Sequence, residues 1–206
     1  MNIVSVPNWI RRFYRPAIWK IPTSEKVVYL TFDDGPTPMI TESVMDVLDE
    51  YNAKATFFCL GSQVEKHLNL FNEIQKRGHR VGNHTFSHIS GWSSTPKDYL
   101  DDVERASQVI SSSLFRPPYG RITKKQFNQI KKRYTVVFWD IIPGDFIQGI
   151  TSKKLLKNTL KYLKLGSVIV FHDSIKCGDV LLETLPVLLE ELKQRGYRLE
   201  VIPFEY

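Results

Sequence analysis

The stretch Thr31-Phe32-Asp33-Asp34-Gly35-Pro36 decides how the rest of the chain is read. It closes the apolar run Val27-Val28-Tyr29-Leu30, whose β-branched and aromatic residues predict a buried strand. Neighbouring residues on a strand face opposite ways, so one of the two carboxylates is expected to point toward the core. Carboxylates this close raise each other's pKa, a cost that a metal ion or a cation offsets. Gly35-Pro36 then turns the chain, and Thr37 followed by Pro38 predicts a helix N-cap and a first helical position. Taken alone, the stretch also fits an Asp-Asp-Gly turn that merely caps a helix.

Outward from this stretch, strands and helices alternate. Strands are expected over residues 27–32, 55–60, 80–83, 114–116, 135–139, 167–171 and 198–202. Helices are expected near residues 38–51, through 61–75 with Gly78 as a C-cap, from Thr95 onward, and over 123–133, 152–163 and 182–195. Val44, Val47, Leu48 and Tyr51 share one helical face, as do Leu100, Val103, Ala106 and Ile110, and Leu156, Leu160 and Leu163. About seven β/α units in unbroken alternation predict a parallel sheet, open or closed into a barrel. The sequence holds no glycine-rich phosphate loop and no internal repeat.

The chain has 206 residues, 42% of them apolar, which suits one domain with a sizeable core. No apolar run is long enough to span a bilayer. The opening residues have neither the basic nor the long apolar region of a signal peptide. Cys59 and Cys177 make neither a disulfide framework nor a zinc knuckle, and Cys59 is expected to be a buried thiol. The net charge of +6 suggests attraction to anionic surfaces or polymers, with Lys124-Lys125 and Lys131-Lys132-Arg133 as a solvated helix face. No nucleic-acid motif is present. Residues 1–25, rich in aromatic, basic and proline residues, could serve as a peripheral membrane anchor, but with three prolines and no clear apolar helical stripe they are expected to pack as an extension over one end of the domain formed by residues 26–206.

In parallel α/β folds sites gather at the C-terminal ends of the strands, and the polar residues fall there. Asp33 and Asp34 end the first strand, and His84-Thr85-Phe86-Ser87-His88 follows the third. Arg116-Pro117-Pro118-Tyr119-Gly120 follows the fourth, Asp140 and Asp145 the fifth, and His172-Asp173 ends the sixth. His67 and His79 are expected at the surface. Two histidines four apart can address one ion, and a carboxylate added to them makes a three-ligand site with an open position. That is the pattern of a catalytic metal, and a carboxylate beside it could take a proton from water.

These motifs resemble those of the NodB-homology polysaccharide deacetylases, carbohydrate esterase family 4, in order from residue 27 to about residue 202. The resemblance implies a distorted (β/α)7 barrel and the metal-dependent hydrolysis of N-acetyl groups from amino sugars of a polysaccharide or oligosaccharide, releasing acetate. It implies Asp33 as base, and Asp34, His84 and His88 as ligands of one divalent ion, zinc before cobalt or nickel. Arg116 would hold the base, the Tyr119 backbone N–H would serve the oxyanion hole, and His172 would be the general acid, supported by Asp145. Tyr119, Phe146 and Val170 would line the substrate pocket. The fourth motif departs from the family: Phe146 stands where Trp is usual, and Ile142 where an Asp is usual. The implied partner is an N-acetylated glycan, handled by a monomer. The visible sequence suits the cytoplasm, whereas the family often works in the cell envelope or outside the cell. Two other readings compete. One is a small-molecule amidohydrolase acting on a non-peptide C–N bond; the other is a non-catalytic carbohydrate-binding relative that kept the fold.

Overall fold

Strand β1 (Val27–Asp33) is the axis of the molecule, buried along its whole length. The computed structural model describes residues 8–203. A short helix, α1 (Asn8–Phe13), precedes β1. Then come α2 (Ile40–Glu50), β2 (Thr56–Cys59), α3 (Gly61–Lys66), α4 (Leu68–Lys76), β3 (Arg80–Asn83) and α5 (Pro96–Ser107). The rest is β4 (Leu114–Phe115), α6 (Lys124–Ile130), β5 (Thr135–Val136), α7 (Ser152–Tyr162), β6 (Val168–His172), α8 (Gly178–Gln194) and β7 (Arg198–Leu199). The sheet is parallel, in the order β5-β4-β3-β2-β1-β6, with β7 joined to the start of β1. It is the distorted (β/α)7 barrel that the resemblance implied, and it settles the open-or-closed alternative that the alternation left.

The gap between β5 and β6 is spanned by irregular chain. Ile18 bridges to Val137, Lys20 to Ser167, and Ile141 to Ile169. The Ile21 N–H donates to Gly166 O at 2.9 Å, and a Cβ on Gly166 would meet Ile21 O at 1.8 Å, so only glycine permits the approach. Trp19 stacks on Phe138 with ring centroids 4.1 Å apart.

Period-two alternation on β1 sorts its residues. Val28, Leu30 and Phe32 pack outward with α2 and α8 residues such as Val44, Leu48, Leu185 and Leu188. Val27 and Tyr29 face the barrel interior with Phe58, Val137 and Val168. Thr31 and Asp33 continue that interior row toward the C-terminal end, where a polar site can open.

Several elements differ from expectation. Helix α2 starts after Met39, not after Thr37, because Met39 (φ 67°) is left-handed and its N–H is taken by the Glu42 carboxylate at 2.6 Å. Residues 61–75 are helical as expected, in two segments that meet at His67. Strand β5 is shorter than expected, since the chain beyond Val136 leaves the sheet to bridge Ile18. The buried stripe of α7 is Leu155 and Thr159; Leu156, Leu160 and Leu163 flank it. Helix α8 begins at Gly178, four residues before the expected Leu182. His79 is buried, not superficial: its Nδ1 accepts the Ala55 N–H at 3.3 Å beneath the β2–β3 edge. Burial lowers its pKa to about 4. Cys59 is a buried free thiol, as expected.

Candidate active site

The C-terminal ends of β1, β3 and β6 and the turns after β4 and β5 surround a cavity of about 520 Å³. A more open depression of about 570 Å³ lies over α3 and α4, where Arg77 is paired with Glu73, Asp46 and Asp49. The cavity at the strand ends is the one that gathers Asp33, Asp34, His84, His88 and His172.

Asp33 sits on the interior face and is buried. Its Oδ1 accepts from Arg116 Nη1 at 2.7 Å. Arg116 is itself fully buried and spends its donors on protein oxygens: Thr31 Oγ1 at 2.7 Å, Val137 O at 3.2 Å and Phe138 O at 3.0 Å. Its guanidinium lies 4.1 Å above the Phe58 ring. A buried cation so fully partnered holds its carboxylate rigidly.

Asp34 leaves the strand through a left-handed backbone (φ 84°), which brings its carboxylate to the same cavity as Asp33. Its Oδ1 lies 3.2 Å from His88 Nε2 and 3.7 Å from His84 Nε2. That oxygen is buried and has no hydrogen-bond partner among the described residues. His84 Nδ1 lies 2.8 Å from Arg116 O; a carbonyl can only accept, so Nδ1 carries the proton and Nε2 presents a lone pair. Burial, working against the pull of Asp33, lowers the His84 pKa to about 4, so the ring is neutral at pH 7. Burial alone would raise the Asp34 pKa, but His88, His172 and His84 outweigh it and hold the carboxyl below its ordinary range. An orphaned carboxylate oxygen facing two imidazole nitrogens, all three donors within 4.8 Å of one another, fits a divalent cation.

Backbone constraint concentrates here. Of the six non-glycine residues with positive φ among the described residues, four are Asp34, Thr85, His88 and Tyr119, the kind of strain that a surrounding structure must impose. Asp102 of α5 holds the histidine loop by accepting from the N–H groups of Phe86 and Ser87 at 2.8 and 3.0 Å. Asp173 holds the aspartate turn. Its Oδ1 accepts the Gly35 N–H at 3.1 Å and its Oδ2 the Thr41 hydroxyl at 2.5 Å. Burial, reinforced by the nearby Asp34 charge, pushes its pKa up to about 8 despite the Thr41 bond.

Across the cavity, Asp145 grips His172 twice. Its carboxylate accepts the His172 backbone N–H at 2.6 Å and lies 3.0 Å from Nδ1. Burial favours the neutral ring, but the Asp145 charge and hydrogen bond, with Asp34 and Asp33 behind them, raise the His172 pKa to about 9. Phe146 meets the imidazole edge-on, centroids 5.5 Å apart, so it keeps an aromatic wall where Trp is usual. Ile142 lines the same wall. The Tyr119 ring is exposed and stands 4.5 Å from that of His88.

The structure thus brings Asp33, Asp34, His84, His88, Tyr119, Phe146 and His172 to one cavity, with Arg116 and Asp145 directly behind. Val170 is a correction: it lies on the interior face two residues before His172, fully buried beneath the site instead of on its wall. Asp140 does not join the site either; it accepts from Ser167 Oγ and Val168 N, tying the β5 turn to β6. No local pattern signals the roles of Thr31, Asp102 and Asp173, whose partners lie far along the chain.

The profile of a family described as polysaccharide deacetylase matches residues 20–138. A peptidoglycan-N-acetylglucosamine deacetylase of Bacillus cereus is 34% identical over 189 residues, covering 87% of this chain and 88% of that protein. A chitooligosaccharide deacetylase of Bradyrhizobium sp. is 30% identical over 196 residues, covering 85% and 89%. The crystal structure of a peptidoglycan N-acetylglucosamine deacetylase bound to an N-oxidanyl-benzamide superposes with a TM-score of 0.88 at 28% identity, covering 96% of this chain and 95% of that one. A family 4 carbohydrate esterase from Streptomyces lividans, solved with acetate, gives 0.80 at 26% identity over 88% and 95%.

Proposed function

Since the chain belongs to the polysaccharide deacetylase family, we propose that it hydrolyses N-acetyl groups from the amino sugars of a cell-wall or chitin-like glycan, with the roles divided as follows. The observation that carries this reading is the orphaned Asp34 Oδ1 between two imidazole nitrogens, with a braced carboxylate beside it and a braced imidazole across the cavity.

Asp34, His84 and His88 would hold one divalent ion, and zinc suits two imidazoles with a carboxylate. Such an ion supplies Lewis acidity, polarising an amide carbonyl and making water a stronger acid. Asp33, fixed by Arg116, takes the proton of the attacking water. The Tyr119 backbone N–H receives the charge that develops on the carbonyl oxygen, a contribution of about 3–4 kcal/mol for one such donor. His172, fixed by Asp145, gives its proton to the amine nitrogen as the C–N bond breaks. Water and amide are consumed; acetate and a free amino sugar result.

Among the described residues no helix is long and apolar enough to cross a membrane. The relatives named as peptidoglycan deacetylases support work at the cell envelope. We take the acting species as a monomer, which light scattering tests.

The decisive experiment is an acetate-release screen over chitooligosaccharides, peptidoglycan and xylan, before and after exhaustive chelation. Release from an amino-sugar glycan, lost on chelation and restored by zinc, is expected. Undiminished release from chelated protein, or release only from O-acetylated xylan, would sink the reading.

A further inference from the structure

Arg121 stands at the mouth of the cavity without a counter-charge. Arg77, Arg105, Arg116, Arg133, Arg195 and Arg198 each lie within 4.0 Å of a carboxylate. Among the described residues Arg121 has no such neighbour, although it is exposed and lines the cavity. Its guanidinium carbon lies 5.3 Å from the centre of the Trp92 ring and 5.8 Å from that of Tyr119. Trp92 is 65% exposed. The two loops are locked together: the Gly91 N–H donates to Arg121 O at 3.0 Å, and a Cβ on Gly91 would meet that oxygen at 2.7 Å.

The far rim carries a second cation. Lys176 is exposed, lines the cavity beside His172, and has no carboxylate within 4.0 Å among the described residues. It also lines an adjoining depression of about 390 Å³ with Phe146, Gln148 and Asp179, so the groove runs on past the cavity. The carboxylates on the cavity floor already face positive or metal-seeking groups: Asp33 faces Arg116, and Asp34 faces His84 and His88. Two cations, Arg121 and Lys176, therefore stand at the cavity itself, in keeping with the net charge of +6, while the carboxylates Asp145 and Asp179 line the adjoining depression.

We infer that Arg121 and Trp92 form a subsite for a carboxylate-bearing sugar next to the one being deacetylated, with Lys176 drawing the same anionic chain along the groove. The inference rests on the deacetylase reading above and narrows its substrate class to anionic glycans. An exposed indole offers an apolar plate to the C–H face of a pyranose. A guanidinium beside it takes a carboxylate through two parallel N–H donors, which a hydroxyl cannot match.

The test uses the full chain loaded with zinc and three N-acetylated oligosaccharides of equal length. One is neutral, one carries an O-lactyl carboxylate on alternate sugars, and the third is the methyl ester of the second. The carboxylated oligomer should exceed both others in kcat/KM by about tenfold, the scale of one charge-assisted contact, and the margin should shrink as salt is raised. In Arg121→Gln the ratio should fall to within about threefold through a rise in KM for the carboxylated oligomer, whereas a merely structural arginine would lower all three together. Trp92→Ala should weaken all three. No preference in the parent, or the parent's ratio preserved in Arg121→Gln, would overturn the inference. Acetate from none of the three would remove the deacetylase reading instead. Calorimetric binding of the acid and its ester to the parent would then still decide the subsite, and equal affinities would refute it.

Discussion

His172 and Asp33 show how environment divides acid from base within one cavity. The His172 pKa is raised above its ordinary value, so imidazolium persists below about pH 9 and is lost as pH rises through it. The stability held in the Asp145–His172 pair is accordingly complete below about pH 6.5 and fades toward pH 9. Asp145→Asn removes the charge that outweighs burial, so the basic limb of the activity profile should move toward neutral pH. An unmoved limb would mean that Asp145 does not support the acid. Asp33→Asn should keep its metal, because the ligand set is Asp34, His84 and His88, yet lose about 10²–10⁴ in turnover for want of a proton acceptor. Loss of metal from Asp33→Asn, measured by elemental analysis, would exchange the two aspartates.

The turn between β1 and α2 is the element on which the site depends. Asp173 at the end of β6 clamps it through Gly35 and Thr41, and a Cβ on Gly35 would lie 2.1 Å from Asp173 Oδ2. That carboxyl is buried and hydrogen-bonded, so it cannot swing away. Gly35→Ala should cost about 1–3 kcal/mol of stability by overpacking and should weaken zinc binding as Asp34 shifts. Urea unfolding and metal titration read the two effects separately; parent-like values in both would show that the clamp is slack. The turn was recognisable from Asp33-Asp34-Gly35, but its clamp was not, because Asp173 lies 138 residues along the chain from Gly35.

Over the whole molecule, the irregular strand Ile18–Lys20 does the work of a missing β-strand between β5 and β6. Trp19, 8% exposed and stacked on Phe138, anchors it. Trp19→Ala should cost about 3–5 kcal/mol, the usual penalty for emptying a large aromatic site, and removal of residues 1–25 should destabilise the barrel at least as much. Thermal unfolding followed by circular dichroism is the measurement, and a truncated chain as stable as the parent would show that the extension is dispensable.

Local pattern was enough for the alternation of strands and helices and the placing of polar residues at strand ends, whereas the nomination of Asp33, Asp34, His84, His88 and His172 needed the resemblance of their ordered motifs to the family's. Each of these is written within a few residues, as a period, a cap or a spacing. The tertiary structure alone decided which groups met from afar. It put His79 under the sheet edge, turned Asp140 to the support of β6, sank Val170 beneath the site, and left Arg121 at the cavity mouth without a carboxylate. The physical reason is common to all four. Burial and pairing depend on what the folded sheet brings within about 4 Å, and a one-dimensional spacing carries no such distance.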